Sequence, residues 1–362
     1  MRKPFDYTLL LTTLLLVVVG LTMVFSASGV LAKERFQDST LFLKKELVAA
    51  IIGFGALFLI RLVPVRFFSK AVYPLFLISL ILLVLVLIPS VGTKVGGASR
   101  WFRLGPFSFQ PSEIAKLALI FFMAHILTKK REKVNLFIGF ASPMVFSGLL
   151  IGLVLMGKDL GGATVMGASV FFMMFIGGVR PSYLLSEILL ALPAFYYLVF
   201  SVPYRRARVL AFLNPWDYPR GAGFQIIQSY VAFHAGRFFG QGLGEGKQKL
   251  FYLPEAHTDF IFSVIGEELG LFGTMTVLGL FVVWLYRAFR IAWNAPDLFT
   301  SYLALGISLM VGLQVLLNVA VVTGLLPTKG LPLPFISYGG SSLILSLIAV
   351  GILLNISSRG EV

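Results

Sequence analysis

Residues 253–262 read Leu253-Pro254-Glu255-Ala256-His257-Thr258-Asp259-Phe260-Ile261-Phe262, placing two carboxylates, an imidazole and a hydroxyl directly before a long apolar run. Such groups at the edge of an apolar segment can take a proton from an attacking hydroxyl. Asp259 stands nearest that edge, and an Asp near its reference pKa of about 3.9 is ionised at neutral pH. The plainer reading is that Thr258 or Asp259 caps the helix that follows. Glu267 and Glu268 lie two turns deeper. At ~100° per residue, Glu267 returns to within about 80° of Asp259. A carboxylate at that depth must be neutral or paired with a cation.

Four further groups carry charge or close backbone. Glu113 and Lys116 open an apolar run at a spacing of i, i+3, so they share a face and can pair. They form either a structural ion pair or a site where Lys116 meets an anionic substrate. Asp159, in Lys158-Asp159-Leu160-Gly161-Gly162, begins a helix favourably against its dipole or contributes to a substrate site. Arg205, Arg206 and Arg208 follow another apolar run. Arginine grips phosphate oxygens bidentately, so they fit a lipid diphosphate as well as ordinary headgroups. In the segment from Leu326 to Ser342, Gly339 and Gly340 allow close backbone approach. Free N–H groups at the next helix start favour an anion; a re-entrant plug fits equally.

These residues need an apolar frame. Of 362 residues, 58% are hydrophobic and only 13% charged, about half the charge of a soluble domain. Mean hydropathy is +0.91. Runs long enough to span a bilayer, about 20 residues, fall at 7–27, 43–61, 71–89, 112–128, 137–156, 162–178, 182–200, 260–286, 301–325 and 341–356. The first follows Arg2 and Lys3 but exceeds the 7–15 residues typical of a signal peptide, so it reads as retained. The expected fold class is an all-α integral membrane protein of about ten transmembrane helices, one polytopic domain over 1–362. The absence of cysteine excludes disulfides and thiolate chemistry. The net charge of +14 has no basic soluble module to carry it, which excludes nucleic acid as a partner.

Ten spans put both termini on one side, and the cluster Lys129-Lys130-Arg131 with Lys133 marks that side as cytoplasmic. The long segment 201–258 between spans seven and eight is then extracytoplasmic. It is rich in glycine turns, and 224–233 within it reads as a short amphipathic helix lying on or dipping into the membrane surface. Its excess of Arg and Lys fits anionic lipid headgroups or an anionic ligand.

In this order along ten spans, the segments resemble the SEDS family of bacterial cell-wall glycosyltransferases, which includes FtsW, RodA and SpoVE. The resemblance covers essentially the whole chain. It rests on Ser26-Ala27-Ser28, Gly97-Ala98-Ser99-Arg100-Trp101 with the Gln110–Lys116 motif, Asp159-Leu160-Gly161, Arg205-Arg206-Ala207-Arg208, Gln225-Ile226-Ile227-Gln228-Ser229, Leu253–Phe262 and Pro334–Ser342. Glu255–Asp259, Glu267-Glu268-Leu269-Gly270 and Leu326–Gly330 look more like the division branch, FtsW, than the elongation branch, RodA. Lys158 departs from the pattern, which would place a neutral or acidic residue and then Pro before Asp159.

The resemblance implies a fold related to the GT-C glycosyltransferases and polymerisation of lipid II into glycan strands, with undecaprenyl diphosphate leaving. It implies Asp259 as the catalytic base. Glu113, Lys116, Asp159, Arg205, Arg208, Glu255 and His257 are the candidate substrate-binding residues. A class B penicillin-binding protein, the crosslinking transpeptidase, is the implied partner, and the bacterial inner membrane the implied location. No cofactor is fixed by the sequence. A divalent cation, Mg or Mn, is the one candidate, with His257 and Glu255 orienting substrate or metal. The competing reading is a flippase or transporter of lipid-linked sugar. A scaffold that only recruits the penicillin-binding partner is the third.

Overall fold

The computed structural model describes residues 5–359 apart from 96, 97, 106, 222, 251 and 329. Arg2, Lys3, Gly97 and Lys329 therefore lie outside the described residues. Every expected span is a helix: α1 (Tyr7–Phe36), α2 (Leu41–Leu62), α3 (Val65–Leu87), α4 (Pro111–Lys129), α5 (Phe137–Met156), α6 (Leu160–Ile176), α7 (Pro181–Phe200), and, after two short helices, α10 (Ile261–Trp293), α11 (Leu298–Val322) and α12 (Gly340–Ser357). Among the described residues, 8 of them are long and apolar enough to cross a bilayer. Of the other two, α6 is apolar but has 17 residues, and α2 opens on Lys44, Lys45 and Glu46 and ends near Arg61.

The segment 201–258 is more ordered than expected. It contains α8 (Pro203–Leu213) as well as α9 (Phe224–Gly236). α9 packs against α10, burying Ile226, Ile227, Ser229 and Ala232. Gly236 makes this contact possible, since an added Cβ would lie 1.8 Å from the Gly266 carbonyl oxygen. A small antiparallel sheet, β1 (Thr93–Val95), β2 (Ala98–Leu104) and β3 (Phe107–Phe109), joins α3 to α4 in the order β1-β2-β3. It pairs Lys94 with Ser99 and Arg103 with Ser108.

At the centre, α4 is buried nearly throughout by α3, α5, α6, α11 and α12. α2 and α12 approach closely through Gly351, where a Cβ would stand 2.7 Å from the Leu57 carbonyl oxygen. Small residues at such crossings let helix backbones meet where lipid supplies no hydrophobic drive. The outward faces of the bundle expose Leu59, Val145, Leu190 and Val282, as a hydrocarbon solvent requires.

Two irregular elements frame one end of the bundle. α10 is broken at Gly270, which has φ 67 and ψ −162. Backbone groups freed inside a bilayer need partners within the protein, and the 237–242 segment supplies them. Gln241 and Gly242 donate to the Glu267 and Glu268 carbonyls at 2.9 and 3.0 Å. Leu271 and Phe272 donate in turn to the Arg237 and Phe238 carbonyls at 2.9 and 3.1 Å. The second element is the loop between α11 and α12, where Leu331, Leu333, Phe335 and Ile336 are buried. It passes against α1 at Gly20, where a Cβ would lie 2.5 Å from the Phe335 carbonyl oxygen. The loop is thus packed inside the helix bundle.

Candidate active site

The half-helix before Gly270 begins at Ile261, and Phe260 is its N-cap without a side-chain cap bond. Neither Thr258 nor Asp259 caps the helix, because the chain turns before reaching it. Thr258 Oγ1 instead donates to Glu255 Oε2 at 2.9 Å. The turn is held by the Thr258 and Phe260 N–H groups, both donating to the Glu255 carbonyl at 3.2 Å. Glu255 itself takes a left-handed φ of 56, a conformation that non-glycine residues hold at a cost of ~1–3 kcal/mol and that clusters at functional sites.

This turn hangs from its surroundings by main-chain groups. Ser337 Oγ donates to the Thr258 carbonyl at 2.5 Å and Tyr338 N to the His257 carbonyl at 2.9 Å. Asn318 Nδ2 donates to the Asp259 carbonyl at 2.9 Å. The carboxylate of Asp259 is partly buried, with Gly330 beside it; a Cβ there would be 3.1 Å from Oδ2. Among the described residues no hydrogen bond reaches that carboxylate.

Its electrostatics depart from the expectation of an ordinary Asp. Burial first, then the negative charge of Glu255, push the Asp259 pKa up to about 7, with Asp159 adding to the rise and Arg208 and Arg100 opposing it. A base poised near the working pH combines the right protonation state with driving force. His257 is shifted the other way, its pKa lowered mainly by burial, with Arg35 also lowering it and Glu255 opposing. The imidazole packs against both Phe42 and Tyr338, at ring separations of 5.0 and 5.6 Å, and those two rings also touch each other.

The other candidates divide. Arg208 reaches the site, donating from Nη1 to the Thr328 carbonyl at 3.1 Å. Arg205 turns back to the Leu198 carbonyl at the end of α7, at 2.8 Å. Asp159 caps α6 through Gly162 N at 2.9 Å and accepts from Gln110 and Ser112, both at 3.1 Å. Its charge is felt at Asp259 as well. Glu113 and Lys116 form a buried ion pair at 2.8 Å, and Lys116 also donates to Gln314 at 3.0 Å.

Glu267 and Glu268 both have partners. Lys249 Nζ meets Glu268 Oε1 at 2.6 Å, and Glu267 accepts from Lys247 N at 2.7 Å. The start of α12 is filled from within, since Glu46 Oε2 accepts from Gly339 N at 3.2 Å. Arg100, which lies in the 97–101 motif, is a further charged residue of the site. It binds the Gly157 carbonyl at 3.1 Å and the Lys158 carbonyl, where Lys158 holds a left-handed φ of 64. Among the described residues no three His, Asp or Glu groups gather as a metal site.

The family model described as "Cell cycle protein", FTSW_RODA_SPOVE, matches residues 7–361. The chain belongs to the FtsW/RodA/SpoVE family. It is 51% identical over 358 residues to the "Probable peptidoglycan glycosyltransferase FtsW" of Geobacter metallireducens, covering 99% of this chain and 96% of that one. It is 48% identical to the "Stage V sporulation protein E" of Bacillus subtilis, covering 97% and 96%. Among solved structures, a chain described as "Structural coordination of polymerization and crosslinking by a peptidoglycan synthase complex" matches with a TM-score of 0.80 at 34% identity, covering 98% and 97%. The Thermus thermophilus rod shape determining protein RodA matches at 0.73 and 31%, covering 98% and 96%. Membership of the family makes the chain an integral membrane helical protein of the SEDS fold.

Proposed function

We propose that the chain is a peptidoglycan glycosyltransferase of the bacterial inner membrane that polymerises lipid II, with Asp259 as its general base. The observation that carries this is the placement of Asp259: a carboxyl within electrostatic reach of Arg208 and Arg100, on a turn braced by the final loop. Lipid II holds its sugar α-linked to diphosphate and the glycan product is β-linked, so the transfer inverts the anomeric carbon. Asp259 takes the proton from the acceptor hydroxyl as its oxygen bonds to that carbon. The bond to the diphosphate oxygen breaks, and that oxygen keeps the electron pair. Cationic groups aimed at the developing charge stabilise it; Arg208 and Arg100 fill that role. No covalent intermediate is needed, so one base suffices.

The termini and the Lys129–Lys133 cluster are cytoplasmic in this reading, and the Asp259 end is extracytoplasmic. Glu255 and His257 orient the acceptor sugar; Glu255 would also be the carboxylate to hold a divalent cation, whose charge would help stabilise the leaving diphosphate. The partner is a class B penicillin-binding protein of the division type, in keeping with the FtsW-named relatives. A lipid-linked sugar transporter fits less well, because transporters place their sites near the bilayer midplane and these polar groups gather at the helix ends. Purified protein in detergent with lipid II and no ATP separates the two. Glycan chains support polymerisation; lipid II returned unchanged with and without the partner refutes it.

A further inference from the structure

α11 carries no charged residue, and beyond its hydroxyl-bearing first half it is apolar except for two amides four residues apart, Gln314 and Asn318, which share one face. Both are buried, at 4% and 1% exposure. Asn318 Nδ2 uses both of its hydrogens on main-chain carbonyls, Asp259 at 2.9 Å and Leu331 at 2.6 Å. One turn earlier, Gln314 Nε2 donates to the Pro332 carbonyl at 2.9 Å, while its Oε1 accepts from Lys116 at 3.0 Å. Lys116 is fixed by Glu113 at 2.8 Å. The two amides thus tie a rigid central helix to both irregular segments that border the candidate base.

The direction of the Asn318 amide is determined by this arrangement. A flipped amide would set its oxygen against two carbonyl oxygens, and the orphaned N–H groups would lose both acceptors. Ordinary core amides need partners too, but here the partners lie on two different loops. One carries Asp259 and the other carries Gly330 and Thr328, the second of which holds Arg208. We infer that Asn318 is a positioning residue, the clamp that sets the spacing between the Asp259 turn and the final loop, with Gln314 and the Glu113–Lys116 pair as its footing. The inference rests on the reading of Asp259 as the base and deepens it. It also gives Lys116 a task other than direct contact with substrate.

A built-in comparison exists at the opposite end of the bundle. Asn355 is buried at 0% exposure and clamps the carbonyls of Ile60, Arg61 and Val63 at 3.0, 2.8 and 2.6 Å, far from Asp259. Asn318→Ser and Asn355→Ser each remove a buried clamp, and full-length purified protein is assayed for lipid II polymerisation. In Asn318→Ser, kcat per folded molecule should fall about 10²-fold, the cost of misplacing a reacting group by about 1 Å, with KM for lipid II within about twofold. Asn355→Ser should lower thermal stability and leave kcat alone. Hydrogen exchange read by mass spectrometry gives a second measure that needs no activity. Amides in 254–260 and 331–338 should exchange faster in Asn318→Ser, while those in 275–290 do not change. Equal kcat losses in the two variants overturn the clamp, and so does unaltered exchange at 254–260. Wild-type protein that makes no glycan defeats the functional reading instead, and the exchange measurement still decides the clamp.

Discussion

Arg208 Nη1 donates to the main-chain carbonyl of Thr328 at 3.1 Å, so a guanidinium from α8 is held against the loop that borders Asp259. It offsets part of the negative charge gathered there by Glu255 and Asp159. Arg206, two residues earlier on α8, is exposed and serves as a control. Losing a charged hydrogen-bond partner to phosphate costs ~1.5–3 kcal/mol, so Arg208→Ala should lower kcat/KM for lipid II by about 10- to 100-fold. Arg206→Ala should change it less than threefold. Equal effects would mean that the arginines serve only lipid headgroups.

The pair of Lys249 and Glu268 bears on stability rather than chemistry. Both side chains are buried, at 4% and 0% exposure, and Ser26 Oγ joins them with bonds of 2.7–2.9 Å. Breaking a buried pair by removing one partner costs ~3–5 kcal/mol, whereas replacing both by apolar groups is often neutral. Lys249→Met should therefore lower the melting temperature in detergent sharply, and the double variant Lys249→Met, Glu268→Leu should recover most of it. A double variant as unstable as the single would assign the loss to packing.

What could be read from the sequence follows from which forces act locally. The ten spans were legible because a bilayer demands about 20 apolar residues wherever a helix crosses, and each expected run is a helix. The β-strands at 93–109 escaped because two have 3 residues each, too short for alternation to register. The break at Gly270 and the partner of Glu268 depend on residues 237–249 folding back across the helix, a tertiary fact with no local signature. Asn318 and Gln314 did leave a signal, two amides at i, i+4 inside an apolar run, which a search restricted to charged groups passes over. The raised pKa of Asp259 had no such signal, because burial and the approach of a second carboxylate are properties of the folded site.

Sidedness can be tested directly because the chain has no cysteine. Arg131 follows α4 and Glu245 lies in the segment before α10, and both are exposed. In intact cells a membrane-impermeant maleimide should label Glu245→Cys and spare Arg131→Cys, with both labelled after permeabilisation. The reverse pattern would place Asp259 on the cytoplasmic side, where a glycan strand for the wall has no route outward.

Asp259→Asn keeps the shape of the side chain and removes the base. Polymerisation should fall by roughly 10²–10⁴, the usual worth of a positioned base, while lipid II still binds. With the carboxyl pKa near 7, wild-type kcat/KM should rise with pH through about 7 and level above it, and the residual rate of the variant should lack that limb. Stability carries the opposite sign. A carboxyl whose folded pKa is raised contributes most below its unfolded value, about 3.9; that contribution is lost as pH climbs through the folded value. Wild-type protein should therefore lose stability between about pH 4 and 7 relative to Asp259→Asn, and the variant should melt higher at pH 8. Near pH 4 the two should converge. The same burial that tunes the base would then destabilise its ionised form, a trade expected where function and stability compete. A variant that is inactive yet no more stable at pH 8 would keep Asp259 as the base but deny that burial raises its pKa. A variant polymerising at the wild-type rate would remove Asp259 from the chemistry.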